Sequence, residues 1–159
     1  ECAEYALGAG CAHVEVAASV AAAAADADVI CTVTGSPTAI LFGRDVRKGT
    51  HLCLVGASIP SSREVDDDLV TLSRYFVDYR GSALAQAGEL LEAIKAGRVT
   101  EAHILGEIGD VLSGTVPGRL ADDDVTVYKS LGVAAQDLVS ALLVYRHALE
   151  RGLGTVAEL

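Results

Sequence analysis

Two short segments hold the residues best suited to chemistry. Residues 50–58 read THLCLVGAS, an apolar run that ends in small side chains and the hydroxyl of Ser58. Small residues let a backbone approach a flat ligand closely, and a serine hydroxyl can donate or accept a hydrogen bond. Residues 126–132 read TVYKSLG, a strand pattern that we predict turns into a helix at Ser130. Both segments predict contacts with a small ligand, because strand ends and helix starts offer free polar groups.

Strands and helices alternate along the chain, which is typical of an α/β fold with a parallel sheet. A continuous apolar run predicts a strand buried on both faces over 28–34. Two further strands of a parallel core are predicted over 50–56 and 75–79. A shorter alternating pattern predicts one more strand over 13–17, either displaced or paired beside 28–34. Helical spacing predicts helices over 1–9, 19–26, 66–73, 84–94, 104–112 and 131–150.

The composition limits the classes of function. The chain has 159 residues, 51% of them hydrophobic, and a net charge of −10 with a pI near 4.7. Such a chain can bury one core, and its negative charge argues against nucleic acid or an anionic membrane as a partner. No apolar run reaches the roughly 20 residues that a membrane helix needs. The four cysteines form no C-x-x-C pair, which favours a cytoplasmic protein with free thiols.

The acidic and histidine residues do not predict a metal centre. The acidic runs at 66–68 and 122–124 directly precede a predicted helix and a predicted strand, where carboxylates act as solvated caps. Neither run has the glycine and distal glutamate of a calcium loop. The four histidines lack ligand spacing, so we expect no bound metal.

Several segments resemble a single protein family, in the same order and over nearly the whole chain. They are 27–34 (ADVICTVT), 49–58 (GTHLCLVGAS) with Arg63 and Glu64, Val77 with Asp78, 105–112 (LGEIGDVL), 123–132 (DDVTVYKSLG) and Asp137 with Leu138. Together they resemble the ornithine cyclodeaminase/mu-crystallin family. The KSLG segment, at its distance from VGAS, is the most specific part of the resemblance.

The resemblance implies an α/β fold with a partial Rossmann-like parallel sheet and flanking helices, lacking the first βαβ unit, plus a C-terminal helical segment. It implies a partial NAD(P)-binding domain over 1–125 and a segment over 126–159 that returns to a substrate and dimerisation domain. The phosphate loop would precede Glu1, and the sequence contains no G-x-G-x-x-G. Because the chain starts with glutamate and contains no methionine, we expect an inactive fragment of a homodimeric protein that binds NAD or NADP.

The resemblance also assigns roles to single residues. Thr32, with Thr34 as a neighbouring candidate, would meet the cofactor near its ribose. Four strand residues would pass beside the nicotinamide, although the same side chains could equally form plain core: Leu52, Cys53, Leu54 and Val55. Ser130 would contact the cofactor and could also cap a helix, and Leu131 would contact the substrate.

Ser58 distinguishes two reaction types. The resemblance places it where cyclodeaminases carry an aspartate, and places Ser62 where they carry a cofactor-contacting lysine. A carboxylate can exchange a proton with an amine or with water, whereas a serine without a nearby base mainly makes hydrogen bonds. The resemblance therefore implies an NAD(P)-dependent oxidoreductase for small amino or imino acids, with Ser58 as its catalytic and substrate-binding residue. Two alternatives stay open: an ornithine cyclodeaminase, which is a lyase with recycled NAD, and a non-catalytic small-ligand-binding module or inactive fragment.

Overall fold

The computed structural model describes residues 2–155 and residue 157. In this part of the chain, five parallel strands form a sheet with the order β1-β2-β5-β3-β4. The strands are β1 (Val29–Thr32), β2 (His51–Leu54), β3 (Arg74–Val77), β4 (Ile104–Glu107) and β5 (Thr126–Lys129). The predicted α/β class and the parallel core are confirmed. The last strand in sequence, β5, lies at the centre of the sheet, so residues beyond 125 are part of it.

Seven α-helices flank or follow these strands within the described residues. They are α1 (Cys2–Gly8), α2 (Val20–Ala24), α3 (Asp67–Leu72), α4 (Arg80–Gln86), α5 (Gly88–Lys95), α6 (Ile108–Leu112) and α7 (Ala134–Arg151). Two of them begin at the predicted caps. The Ser19 hydroxyl accepts the N–H of Ala22 at 3.1 Å, and the Asp66 carboxylate accepts that of Leu69 at 3.0 Å.

Alternate residues of the central strands form the buried face of the sheet. Strand residues Leu52, Leu54, Val127, Tyr75 and Val77 join helix residues Leu69, Val70, Leu90 and Ala93 in one hydrophobic cluster, all of them 0% exposed. Burying one leucine of this kind stabilises a fold by roughly 1.5–3 kcal/mol. Because side chains alternate along a strand, a slip of one residue would expose the whole set. The core therefore fixes the register in which the strands end.

The structure corrects several predicted elements. The helix predicted over 84–94 is divided, because α4 ends at Gln86 and α5 begins at Gly88. The strand predicted over 28–34 is not buried on both faces, because β1 is an edge strand in which Val29 is 58% exposed.

Residues 13–17 form no strand: His13, Glu15 and Val16 are all exposed, so the apolar side of the alternation is not packed against the described part of the sheet. Residues 104–112 are not one helix but strand β4 followed by helix α6. Ile104 is buried and Leu105 is exposed, which is the alternation of a strand. This strand forms hydrogen bonds with β3. Periodicity alone does not separate a strand from a helix in so short an apolar run.

Helix α7 is exposed along nearly its whole length. It contains no buried residue, and Leu138 and Leu142 are 70% and 43% exposed. It begins at Ala134, three residues later than expected from the pattern, and ends at Arg151. Gly152 is its C-cap, with a φ of 63° in the left-handed conformation that glycine favours. None of the helices among the described residues is long and apolar enough to cross a membrane.

Candidate active site at the carboxyl edge of the sheet

The strands of the sheet end level with one another at what we call the carboxyl edge. Leu54 pairs with Thr32 on one side and with Lys129 on the other, and Lys129 pairs with Val77. The segments that follow these strands are therefore neighbours in space. They contain six residues predicted as site residues: Thr32, Thr34, Val55, Ser58, Ser130 and Leu131. Carboxyl ends of parallel strands are where open α/β sheets bind ligands.

Glu64 joins the ends of β1 and β2. One of its carboxylate oxygens accepts hydrogen bonds from the Thr32 hydroxyl at 2.7 Å and the Gly56 N–H at 2.9 Å. The other accepts the N–H of Thr34 at 2.6 Å and its hydroxyl at 2.8 Å. Glu64 is fully buried, so these four donors replace the water that its charge loses on folding. Both threonine hydroxyls consequently use their protons inside the protein.

The charge of Glu64 is stabilised by this arrangement. Burial by itself raises the pKa of the carboxyl group, but the hydrogen bonds from Thr32, Thr34 and Gly56 outweigh burial and hold the pKa below its ordinary value. Near neutral pH Glu64 is therefore a carboxylate that accepts hydrogen bonds and has no proton to give.

Gly56 allows the close approach of these two strand ends. Its N–H and that of Val55 both donate to the Thr32 carbonyl, at 3.2 and 3.0 Å. A Cβ on Gly56 would overlap the backbone of Thr34 and the carboxylate of Glu64. The glycine of the VGAS segment thus serves the packing of β1 against β2.

Asp78 holds the segment that follows β5. Its Oδ2 accepts the N–H groups of Leu131 and Gly132 at 2.6 and 2.7 Å, and the Ser130 hydroxyl lies 3.4 Å away as a further donor. Its Oδ1 accepts the N–H of Tyr79 at 2.8 Å. The expectation that Ser130 caps a helix is wrong, because α7 has Val133 at its N-cap. The backbone N–H groups expected to be free for a ligand at residues 131 and 132 are bonded to Asp78 instead.

Ser58 lies on an exposed turn whose flanking peptides are fixed. The carbonyl of Ala57, which is fully buried, accepts a hydrogen bond from Lys129 Nζ. The carbonyl of Ile59 accepts the N–H and the hydroxyl of Ser62 at 3.1 and 3.2 Å. Within the described residues the hydroxyl of Ser58 has no partner, so it is available to a ligand at the carboxyl edge.

The four predicted nicotinamide neighbours on β2 and just beyond it occupy different environments. Leu52 and Leu54 are 0% exposed and pack in the core. Cys53 is half-buried on the opposite face, where its Sγ lies 3.5 Å from Nε2 of His51. Burial and then the nearby Arg119 lower the pKa of His51. Val55, 43% exposed, is the member of this group whose side chain reaches the surface at the carboxyl edge.

Sequence reasoning missed three residues that organise this edge. Glu64, Asp78 and Lys129 are all buried, and each binds a segment that follows a different strand. The available signal was an ionisable residue placed directly at a strand end or within an apolar run, as in VD at 77–78 and VYK at 127–129. Such a residue is buried only when it has partners.

The family assignment follows from a match over nearly the whole sequence. The family model described as "Ornithine cyclodeaminase/mu-crystallin family" matches residues 1–152. The chain belongs to the ornithine cyclodeaminase/mu-crystallin family. Among its relatives, the ketimine reductase mu-crystallin of Mus musculus is 44% identical over 132 residues, a match that covers 83% of this chain and 39% of the mouse protein.

Solved structures of family members have the same architecture. The Delta(1)-pyrroline-2-carboxylate reductase of Thermococcus litoralis, in complex with NADH and L-proline, matches with a TM-score of 0.81 and 32% identity over 87% of this chain and 43% of that chain. An archaeal alanine dehydrogenase dimer with bound NAD matches with a TM-score of 0.81 and 28% identity, over 98% of this chain and 48% of that chain. The chain spans less than half the length of each of these three relatives.

Proposed function

We propose that this chain forms the nicotinamide-facing wall of an NAD(P)H-dependent reductase for small imino acids, or of an enzyme that interconverts amino and keto acids. Two relatives support this proposal: the mouse protein is a ketimine reductase, and the Thermococcus litoralis protein binds NADH together with L-proline. In our proposal the site lies at the carboxyl edge, where Ser58, Val55, Ser130 and Leu131 come together.

The residues at this edge fit a nicotinamide. Val55 offers an exposed apolar surface for a flat ring, and the Ser58 hydroxyl is a free hydrogen-bonding group beside it. Thr32 and Thr34 keep acceptor lone pairs, although their protons go to Glu64. The sequence has no G-x-G-x-x-G, so these residues fit the nicotinamide and ribose part of the cofactor and not its diphosphate.

The proposal rests on one observation. The Ser58 hydroxyl has no partner among the described residues, whereas buried carboxylates at the same edge already accept hydrogen bonds from the protein. Glu64 and Asp78, two acidic side chains that bind segments of this edge, are buried and use their oxygens for backbone and hydroxyl donors. Neither is placed to take a proton from an amine or from attacking water. Ser58 can orient a substrate by hydrogen bonding, which suits reduction of an imine and disfavours loss of ammonia from ornithine.

The chemistry divides between the cofactor and the protein. A bound reduced nicotinamide supplies a hydride for the carbon of a C=N group whose nitrogen is already protonated. In this proposal Ser58 holds the substrate by a hydrogen bond, Leu131 excludes water from one side, and the segment from Ser130 to Gly132 is kept in place by Asp78. These residues therefore position the substrate and exclude solvent from it.

The domain division is also a proposal. We propose that the nicotinamide-binding unit over 1–125 is completed by strand β5, and that within 126–159 helix α7 returns to a substrate and dimerisation domain. The exposed apolar residues of α7 support this, because a helix with this pattern packs against a partner. Residues 156, 158 and 159 of the segment lie outside the described residues. A cytoplasmic homodimer is part of the same proposal.

The test uses a fusion in which the N-terminal part of the mouse ketimine reductase that this chain does not match is joined to this chain, here called the mouse fusion. Oxidation of NADH and NADPH is followed spectrophotometrically with pyrroline-2-carboxylate, and ammonia release is measured with ornithine. Net oxidation of NADH or NADPH by the imino acid, without ammonia from ornithine, is expected. Ornithine turnover without net cofactor change identifies a cyclodeaminase, and ligand binding without turnover identifies a binding module.

A further inference from the structure

We infer that Lys129 is a positioning residue: by its hydrogen bond to the Ala57 carbonyl it fixes the peptide that carries Ser58. The inference rests on the proposed role of Ser58 and adds the residue that orients it. Lys129 ends the central strand β5 and is 0% exposed, and its Nζ donates to an oxygen of a segment 72 residues earlier in sequence. It therefore joins the two segments, 55–58 and 130–132, in which the proposed site residues lie.

The charge of Lys129 is balanced by Glu89 of helix α5. Nζ lies 3.0 Å from Glu89 Oε1, and both side chains are fully buried. Within the described residues neither oxygen of Glu89 accepts a well-aligned hydrogen bond. Burial raises the pKa of Glu89, and the adjacent Lys129 opposes that effect. The two side chains thus lie at ion-pair distance, but the acidic side is poorly hydrogen-bonded.

The stability of the fold does not by itself explain a buried ion pair of this kind. Desolvating two charges costs several kcal/mol, and well-packed apolar residues often replace a buried ion pair without loss of stability. A lysine here does what an apolar side chain cannot, because Nζ donates to a specific carbonyl. The Ala57 carbonyl and the Ser58 N–H belong to one planar peptide group, so holding the oxygen sets the direction of the backbone at Ser58.

A second support holds the other side of Ser58. The Ile59 carbonyl is bonded to Ser62, and Gly88 at the start of α5 lies against the carbonyls of Ile59 and Pro60, where its Cβ would stand 3.0 Å from each oxygen. Glu89, the next residue of α5, faces Lys129. The first turn of α5 thus supports the 57–62 segment directly and through Lys129. Between these supports the Ser58 hydroxyl has no partner within the part of the chain that the structure describes.

The rival explanation is that Lys129 only neutralises Glu89. The double variant Lys129→Met, Glu89→Leu separates the two roles, since it removes both charges and also the donor to Ala57. The single variant Lys129→Met leaves Glu89 buried without a partner charge. Lys95→Met is the matched control, because Lys95 is an exposed lysine on α5 whose contact is the surface pair with Glu92.

The reporter is the peptide group itself, observed by NMR in the 159-residue chain without cofactor or substrate. In the unchanged chain we expect an NMR correlation, transmitted through the hydrogen bond, between Lys129 Nζ and the Ala57 carbonyl carbon. This measurement does not depend on any variant. In the double variant we expect an unfolding midpoint restored relative to Lys129→Met. The Ala57 carbonyl and Ser58 amide resonances, which belong to one peptide group, should nevertheless stay shifted from their positions in the unchanged chain. Lys95→Met should leave both signals unchanged.

Each contrary result overturns the inference. If the correlation between Lys129 and Ala57 is missing in the unchanged chain, the inference is overturned whether or not the variants fold. Restoration of the Ala57 and Ser58 signals by the double variant would assign Lys129 to charge balance alone. In the mouse fusion, the double variant should lower kcat for the imino acid about tenfold or more with little change in KM for NADH. Positive NMR results with an inactive unchanged fusion would defeat the proposed function and leave the positioning role standing.

Discussion

The hydroxyl of Thr32 donates to the carboxylate of Glu64 over 2.7 Å, joining buried residues that are 32 positions apart in sequence. The resemblance assigns Thr32 to the cofactor; its hydroxyl proton goes to Glu64, and its oxygen keeps an acceptor lone pair. The same carboxylate also binds Thr34 and Gly56, so one acidic side chain sets the spacing of two strand ends. The shape of the candidate site at this edge therefore depends on a residue that does not itself face the ligand.

Glu64→Gln should destabilise the chain by roughly 3 kcal/mol near neutral pH. The amide offers one acceptor oxygen in place of two and turns an NH₂ group toward donors, so buried polar groups lose their partners. Urea unfolding followed by circular dichroism measures the change. Glu92→Gln, at a surface pair of α5, is the control and should change stability by less than about 0.5 kcal/mol. Equal effects of the two changes would contradict the role of Glu64.

The difference in stability between the unchanged chain and Glu64→Gln should also depend on pH. Because folding lowers the pKa of Glu64, its contribution is fully present above the ordinary glutamate pKa of about 4.3. It is lost as the pH falls through the lowered pKa. Urea titrations at a series of pH values between about 3 and 7 should show the two proteins converging only at the acidic end. A constant difference over this range would exclude the linkage.

Asp78→Asn should loosen the segment from Ser130 to Gly132. Asparagine keeps one acceptor oxygen, so the N–H groups of Leu131 and Gly132 lose the charged acceptor that they share. We expect a loss of roughly 1–3 kcal/mol. Amide exchange at residues 131 and 132 should be about tenfold faster or more, since this bonding protects those amides. Asp137→Asn, on the exposed face of α7, is the control, and unchanged exchange in Asp78→Asn would refute the prediction.

Gly56→Ala should be strongly destabilising. The added methyl would overlap the backbone of Thr34 and the Glu64 carboxylate, and backbone cannot move aside cheaply. A loss of about 2 kcal/mol or more in the free energy of unfolding is expected. Gly109→Ala on α6 is the matched control, because nothing lies within 4 Å of its added methyl. That change should be neutral or slightly stabilising, by up to about 1 kcal/mol.

Helix α7 should make the chain self-associate. Leu138 and Leu142 lie one turn apart and are both exposed, so their apolar surface remains available to another molecule. Replacing both with glutamate should reduce self-association in sedimentation velocity while changing the free energy of unfolding by less than about 0.5 kcal/mol per site. Ser140→Glu on the same helix controls for added charge. An unchanged chain that stays monomeric at high concentration would contradict this expectation.

The sequence determined the fold class through local patterns. Continuous apolar runs identified β1, β2 and β3, and the hydroxyl and carboxylate caps at Ser19 and Asp66 identified α2 and α3. These features depend on residues close together in sequence, so they can be recognised without the fold. The segments VGAS and KSLG were likewise visible, and the structure brings both to the carboxyl edge.

Only the tertiary structure decided how that edge is held together. The bonds from Glu64 to Thr32, from Asp78 to Leu131 and from Lys129 to Ala57 join residues 32, 53 and 72 positions apart. No local period marks such pairs. The strand nature of 104–107 and the late start of α7 also depended on tertiary context. Strand β4 forms because β3 offers a free edge. Residues 131 and 132 stay outside the helix, with their N–H groups bound to Asp78 and Gly132 at a φ of 91°. Local sequence sets which backbone conformations are favourable, whereas long-range partners select among them once the chain has packed.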